Sequence, residues 1–282
     1  MRNFVRQKTI DCGESYREID IYNYSMTQKE YARRKRSKKE KISSLKQRDL
    51  NDKNAKRYFT QLGNLNFGDD KTALHVAPTY NDENLPTTIE EAENIVSNYL
   101  RRVNYRRIKE GLPALKYILV TAYRFAKDGE TPVRIHHHII MNGGLPREIL
   151  EDMWTNQRIN WNRYKKDQEY RNSIKHLGYV NADRLQSGDT GITPLCVYLA
   201  SQPGGKKRWS SSRNLKRPEG RNNDTRYSKR EVEKIIRNQE GREFWEKKYP
   251  GWTLTDDTYG KQYEHNEITG WAIYLKLRRI RQ

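Results

Sequence analysis

The sequence predicts an α+β fold: a split βαβ antiparallel sheet with helices on one face. Three observations carry this prediction. A segment with helical apolar spacing, residues 87–103, lies between β-prone runs. Two of those runs, residues 116–123 (KYILVTAY) and 133–141 (VRIHHHIIM), flank a turn at Lys127, Asp128 and Gly129 and read as a hairpin. A further short helix, a strand and an apolar helix at residues 192–201 follow.

Residues 1–56 form a basic N-terminal arm in this reading. Its charge run spans residues 29–48 and includes Arg33, Arg34, Lys35 and Arg36, with few apolar residues and no clean helical stripe. Such a run is a solvated arm that contacts phosphates. Tyr58, Phe59, Leu62, Leu65 and Phe67 suggest a strand or a strand-like lead-in to the next region. Residues 72–80 (TALHVAPTY) read as a strand that Pro78 confines to an edge or an end. Thr87 with Glu90 three residues on is a capping box, and Ile89, Ala92, Val96, Leu100 and Val103 follow at helical spacing.

Past the hairpin, Pro146 opens a short helix that reaches Trp154, with Ile149, Leu150 and Met153 as its apolar side. Residues 177–185 give a strand, and the helix at 192–201 is stopped by Pro203-Gly204-Gly205. The order is strand, helix, strand, strand, helix, strand, helix, which suits a ferredoxin- or RRM-like sheet. This main domain covers residues 57–218. Residues 219–282 are a C-terminal extension, helical over 228–248 and a strand or helix with a basic end over 267–279.

Composition restricts the partner. The 282 residues hold 55 Lys plus Arg against 36 Asp plus Glu, a net charge of +19. Self-repulsion of that size is relieved by a polyanion, and nucleic acid is the usual one. The 19 Tyr and six Trp add rings that stack on unpaired bases, which favours single strands. Cys12 and Cys196 are the only cysteines, too few for a disulfide framework or a four-thiolate zinc site, and a reducing cytoplasm is expected. Residues 1–13 carry Arg2, Arg6 and Lys8 without an apolar core, so no secretory signal is expected. No apolar run approaches the roughly 20 residues of a membrane span, and no membrane partner is expected.

His136, His137 and His138 hold half of the six histidines in three consecutive positions. Strand side chains alternate, so His136 and His138 share a face about 7 Å apart, and His137 joins Ile135 and Ile139 on the core side. Two imidazoles at that spacing can share a divalent metal, with His75 or a carboxylate as a third ligand. A metal held this way polarises a phosphate and leaves positions open for substrate.

Tyr198 lies on the apolar helix. The stretch after it, Lys206, Lys207, Arg208, Trp209, three serines and Arg213, contains no acid as far as Arg217. It reads as a loop for phosphate contact and base stacking. A tyrosine hydroxyl is a suitable nucleophile for reversible strand breakage, but with an ordinary pKa near 10 it needs help.

Together these stretches resemble the HUH-type rolling-circle replication initiators of phages, plasmids and integrative elements. The matching stretches are RIHHHIIMNGG, VYLASQPGG, KKRWSSSRNLKRP, TALHVAPTY and NLPTTIEEAENIVSNYLRR, over about residues 57–218. The resemblance implies Mg²⁺ or Mn²⁺ on His136 and His138. It implies attack by Tyr198 on a phosphate of a single-stranded DNA origin, leaving a 5′-phosphotyrosine and a 3′-OH. The setting would be the cytoplasm of a bacterial host, with the host's helicase and polymerase as partners; the chain has no nucleotide-binding P-loop. Two positions depart from the family pattern: Ala122 stands near the place of an acidic ligand, and Ser201 stands where a lysine usually follows the tyrosine. Tyr179 is a reserve nucleophile. The alternative is a non-catalytic DNA- or RNA-binding protein on the same fold.

Overall fold

The computed structural model describes residues 3–25, 45–125, 132–188, 190–202, 208–266 and 270–280. The chain divides into two compact units. The first comprises Met1–Asp69, Ser187–Pro194 and Lys216–Gln282, and the second Asp70–Gln186 and Leu195–Leu215. This division differs from a linear arm, domain and extension, because the N-terminal and C-terminal segments build one sheet.

In the first unit, β1 (Asn3–Cys12) and β2 (Tyr16–Ser25) form an antiparallel hairpin in continuous register from Asn3↔Ser25 to Cys12↔Tyr16. The expected arm is therefore strand at its start. The physical reason is period-two alternation hidden by polar residues: Val5, Ile19 and Ile21 are buried on one face, and the other face carries Arg6, Lys8, Asp20 and Tyr22. Gly13 closes the turn at φ +87°, where a side chain is strained. The sheet has the order β10 (Lys261–Asn266), β11 (Gly270–Arg279), β2, β1, β8 (Gly220–Asn223), and β9 (Trp252–Leu254) also pairs with β11. Residues 270–279 are strand because Ile273, Leu275 and Leu277 are buried in alternation.

The stretch expected as a strand-like lead-in belongs to a helix. Helix α1 (Leu45–Gly63) runs into a π-helical turn over Asn64–Gly68. Phe59 and Leu62 are buried at helical spacing. Arg57 fixes the helix to the sheet through Asp20 at 2.8 Å and the Tyr274 ring at 3.9 Å. The other sheet face is covered by α7 (Lys229–Arg237) and α8 (Arg242–Lys248), whose Val232, Ile235, Ile236 and Trp245 share a core with Ile19, Ile21 and Leu275. The helical reading of 228–248 thus resolves into two helices, broken where Gln239 adopts φ +52° ahead of Gly241.

The second unit is a five-stranded antiparallel sheet. Its strands are β3 (Leu74–Pro78), β4 (Tyr117–Phe125), β5 (Pro132–Met141), β6 (Val180–Arg184) and β7 (Ser210–Ser211), in the spatial order β6-β3-β5-β4-β7. Within the unit the first four strands stand fourth, first, third, second, the split βαβ order. Helix α2 (Ile89–Lys109) crosses between β3 and β4, and α3 (Arg147–Asp152), α4 (Trp161–Tyr164) and α5 (Gln168–Asn172) lie between β5 and β6. The capping box closes one residue later than expected: Thr88 accepts from the Glu91 amide at 3.1 Å, and the Glu91 carboxylate accepts from the Thr87 amide at 2.9 Å.

Val96, Tyr99, Leu100 and Val103 of α2, together with Leu150, Met153 and Trp154, form one core with Leu74, Val76, Leu119, Ile139 and Met141. Each of these side chains contributes roughly 1.5–3 kcal/mol by leaving water. The expected basic loop is in part the edge strand β7, which pairs Ser210 with Leu119 and Ser211 with Ile118. Helix α6 (Thr193–Ala200) begins in the first unit and carries Tyr198 in the second. Among the described residues, no helix is long and apolar enough to cross a membrane.

Candidate active site

Alternation along β5 sends Ile135, His137 and Ile139 towards α2 and sends His136, His138 and Ile140 to the opposite face. His137 is fully buried. Its Nε2 lies 2.8 Å from the Tyr80 hydroxyl and its Nδ1 3.1 Å from the Thr121 hydroxyl, and its ring meets Trp154 edge-on. Burial, with smaller contributions from His136 and His138, pushes its pKa down to about 3, so it is neutral. His137 is a core residue with both ring nitrogens satisfied.

The register places the other residues. His136 stands between Thr79, just past the end of β3, and Ala122 on β4. Residues directly opposite in an antiparallel pair share a face, so Ala122 occupies the place from which a β4 carboxylate would reach the histidines. No acid is there. His75 pairs with Ile140 on one side and with Asp183 of β6 on the other, so both His75 and Asp183 lie on the His136–His138 face.

The ring nitrogens of the histidines have defined partners. His136 Nδ1 lies 2.8 Å from the Arg134 carbonyl, an acceptor only, so this nitrogen carries the proton and the Nε2 lone pair is left for a ligand. Arg134 adopts φ +53°, a left-handed conformation uncommon for a non-glycine residue, and its carbonyl is the one that holds His136. His138 Nδ1 lies 3.1 Å from His75 Nε2. The two rings are within 20° of parallel with centroids 5.2 Å apart, an in-plane approach rather than face-to-face stacking. With His138 Nδ1–H donating to His75, the His138 Nε2 lone pair is also left for a ligand. That atom is buried and has no hydrogen-bond partner.

Burial, with His75 and His136 nearby, pushes the His138 pKa down to about 3, and burial also lowers that of His75, opposed by the Asp183 charge. Burial thus favours the neutral form of both rings, the form in which an imidazole ligates a metal. The His75 Nε2 is engaged by His138, so His75 is placed to orient His138. Among the described residues, no three His, Cys, Asp or Glu side chains are gathered at ligand spacing.

Tyr198 extends from α6 onto this face. Its ring meets the His138 ring edge-on at 5.7 Å, while the side chain remains half exposed. His136 and His138 rings are also edge-on, at 5.0 Å. Ser201 closes the helix: its hydroxyl donates to the Tyr198 carbonyl at 2.7 Å, and its amide donates to the same atom at 3.2 Å. The Ser201 departure thus has a structural use as a helix end. Tyr179, highly exposed just before β6, stands across from Thr79, its carbonyl accepting from the Thr79 amide and hydroxyl, each at 2.8 Å, and so shares the cross-sheet row of His136.

Arg208 and Arg213 are exposed and Trp209 is half-buried at the edge beside β7. Lys206 and Lys207, and Arg33, Arg34, Lys35 and Arg36, lie outside the described residues. Sequence reasoning missed Asp183, Tyr80 and the Arg134 carbonyl. Pairing across the sheet identifies Asp183, the hydroxyl contact with His137 identifies Tyr80, and a backbone conformation identifies the third. The chain matches no known family, no curated protein and no solved structure.

Proposed function

We propose that this chain is a metal-dependent nickase and strand transferase acting on single-stranded DNA, of the HUH type that initiates rolling-circle replication. The observation that carries the reading is the meeting of Tyr198 with His138, on the sheet face that also holds His136 and His75. His136 and His138 would hold the metal through Nε2, with His75 fixing the second ring. The buried, unpartnered Nε2 of His138 fits that role, because a buried nitrogen without a partner is costly. When bound, Mg²⁺ or Mn²⁺ supplies polarisation of the phosphate oxygens and charge neutralisation at phosphorus.

The Tyr198 hydroxyl oxygen attacks phosphorus as its proton leaves. A Tyr–O–P bond forms, the bond from phosphorus to the 3′-oxygen breaks, and that oxygen takes up a proton. The 5′-phosphotyrosine keeps the energy of the phosphodiester, so a second 3′-hydroxyl reverses the step and joins the strand. The net charge of +19 and the many aromatic residues fit a single-stranded polyanion. The setting would be a bacterial cytoplasm, with unwinding and synthesis by host proteins.

Ala122 opposite His136 favours a second reading, a non-catalytic DNA binder on the same fold. A denaturing gel separates the two. Wild type, Tyr198→Phe and His138→Ala are each mixed with Mn²⁺ and single-stranded oligonucleotides from the origin region of the chain's own element. Nicking by wild type and by neither variant supports the transferase. Tight binding with no nicking by any of them supports the non-catalytic binder.

A further inference from the structure

The second unit has another surface feature suited to phosphates, on the sheet face turned away from the histidines. A groove runs between α2 and the β7 edge. Ser97, Arg101 and Asn104 line one wall, and Tyr117, Ser212 and Arg213 the other. Its location relative to the candidate active site follows from alternation. Val120 pairs with His138 and shares its face, so Tyr117 and Leu119 point the opposite way, towards α2. Leu119 accordingly belongs to the α2 core.

No acidic residue lines the groove. Arg101 and Arg213 are both exposed, and neither makes an ion pair among the described residues. The wall that carries Arg213 is held to β4. The Ser212 amide donates to the Tyr117 carbonyl at 3.0 Å, the Tyr117 amide donates to the Ser212 hydroxyl at 3.0 Å, and Asn214 Nδ2 donates to the Leu115 carbonyl at 3.2 Å. The Asn104 side chain, on the other wall, accepts from the Leu115 amide at 2.8 Å. Two guanidinium groups on hydrogen-bonded walls of a groove lined by no acid form a cradle for anionic oxygens spaced along a chain.

We infer that this groove is a second binding site for the sugar–phosphate backbone of single-stranded nucleic acid, separate from the candidate active site. That the nucleic acid is DNA rests on the proposed function; the groove's preference for a phosphate chain rests on the groove itself. A strand crossing the β7 edge would meet Arg213 and Arg101 on one face and continue to the histidine face on the other.

The test is Arg101→Glu/Arg213→Glu in the full chain, built on Tyr198→Phe so that no cleavage intervenes. Fluorescence anisotropy follows a single-stranded oligonucleotide of about 25 nucleotides across a salt series without metal. Each lost phosphate contact lowers the slope of log K against log salt by about 0.7 for single strands, so the double variant is expected to lose about 1.4. Its Kd should rise on the order of tenfold at low salt. Mn²⁺ affinity should stay at the parent value, because the groove lies on the other sheet face. Arg101→Gln/Arg213→Gln should lose the same slope without introducing new charge, which controls for repulsion. An unchanged slope in both double variants overturns the inference whether or not the wild type nicks DNA. A slope lost as expected while the wild type fails to nick supports the groove and tells against the active-site reading alone. Loss of affinity with no change in slope also overturns it, because a phosphate contact must register in the salt dependence.

Discussion

Replacing Arg107 by alanine is expected to destabilise the second unit by about 2–4 kcal/mol. Arg107 sits in the last turn of α2 and is almost fully buried. Its Nε donates to the Pro113 carbonyl at 2.9 Å, and its Nη1 donates to the Asn142 and Gly143 carbonyls at 3.1 and 2.8 Å. One guanidinium thus ties the exit of α2 to the two residues that follow the histidine strand. Three bonds at about 1–1.5 kcal/mol each give roughly 3–4.5 kcal/mol. Two effects reduce the loss. The freed carbonyls are near the surface, where water replaces part of each bond, and the variant no longer buries a charge. The second effect is real, because burial lowers the Arg107 pKa. Arg107→Lys keeps the charge but donates from one point and cannot reach all three carbonyls, so about half of the loss should return. Equilibrium urea unfolding of the three proteins measures the differences. An Arg107→Ala variant within about 0.5 kcal/mol of wild type would refute the clamp.

Two further substitutions test the same strand and its histidines. Gly143→Ala places a Cβ 1.9 Å from the Thr72 carbonyl oxygen and 2.6 Å from its carbon, both backbone atoms, and should cost about 1–3 kcal/mol or more in the same unfolding assay. His75→Ala removes the Nε2 acceptor for His138 Nδ1 and should weaken Mn²⁺ binding by about 10–100-fold in a calorimetric titration, while His137, on the other face, keeps its two hydroxyl partners. Affinity unchanged in His75→Ala would mean that His75 does not orient the ligand.

The parts legible in the sequence are those with strong local periods. The α2 stripe and the alternation of Ile135, His137 and Ile139 are both reproduced, and they place the histidines on opposite faces without reference to the rest of the chain. The first hairpin was not legible because the face that receives α1 carries many polar and charged residues, so composition read as an arm what alternation makes a strand. The apolar residues at 57–67 are too few to separate a strand from a helix end, and the longer α1 context decides for helix. The pairing of His75 with Asp183 and of His136 with Ala122 depends on the order of strands in space. No spacing along the chain encodes it. The Arg134 carbonyl enters through one left-handed residue, a feature of backbone geometry rather than residue type.

The proposed reaction bonds Tyr198 to DNA at a site built by His136 and His138. The most direct measurement is mass spectrometry of proteolytic peptides after incubation with Mn²⁺ and single-stranded origin oligonucleotides. A nucleotide 5′-phosphate is expected on the peptide carrying Tyr198, and is expected to be absent when His138 is alanine. A nucleotide on Tyr179 or on any other peptide, or nicked DNA with no covalent protein, would contradict the proposed reaction.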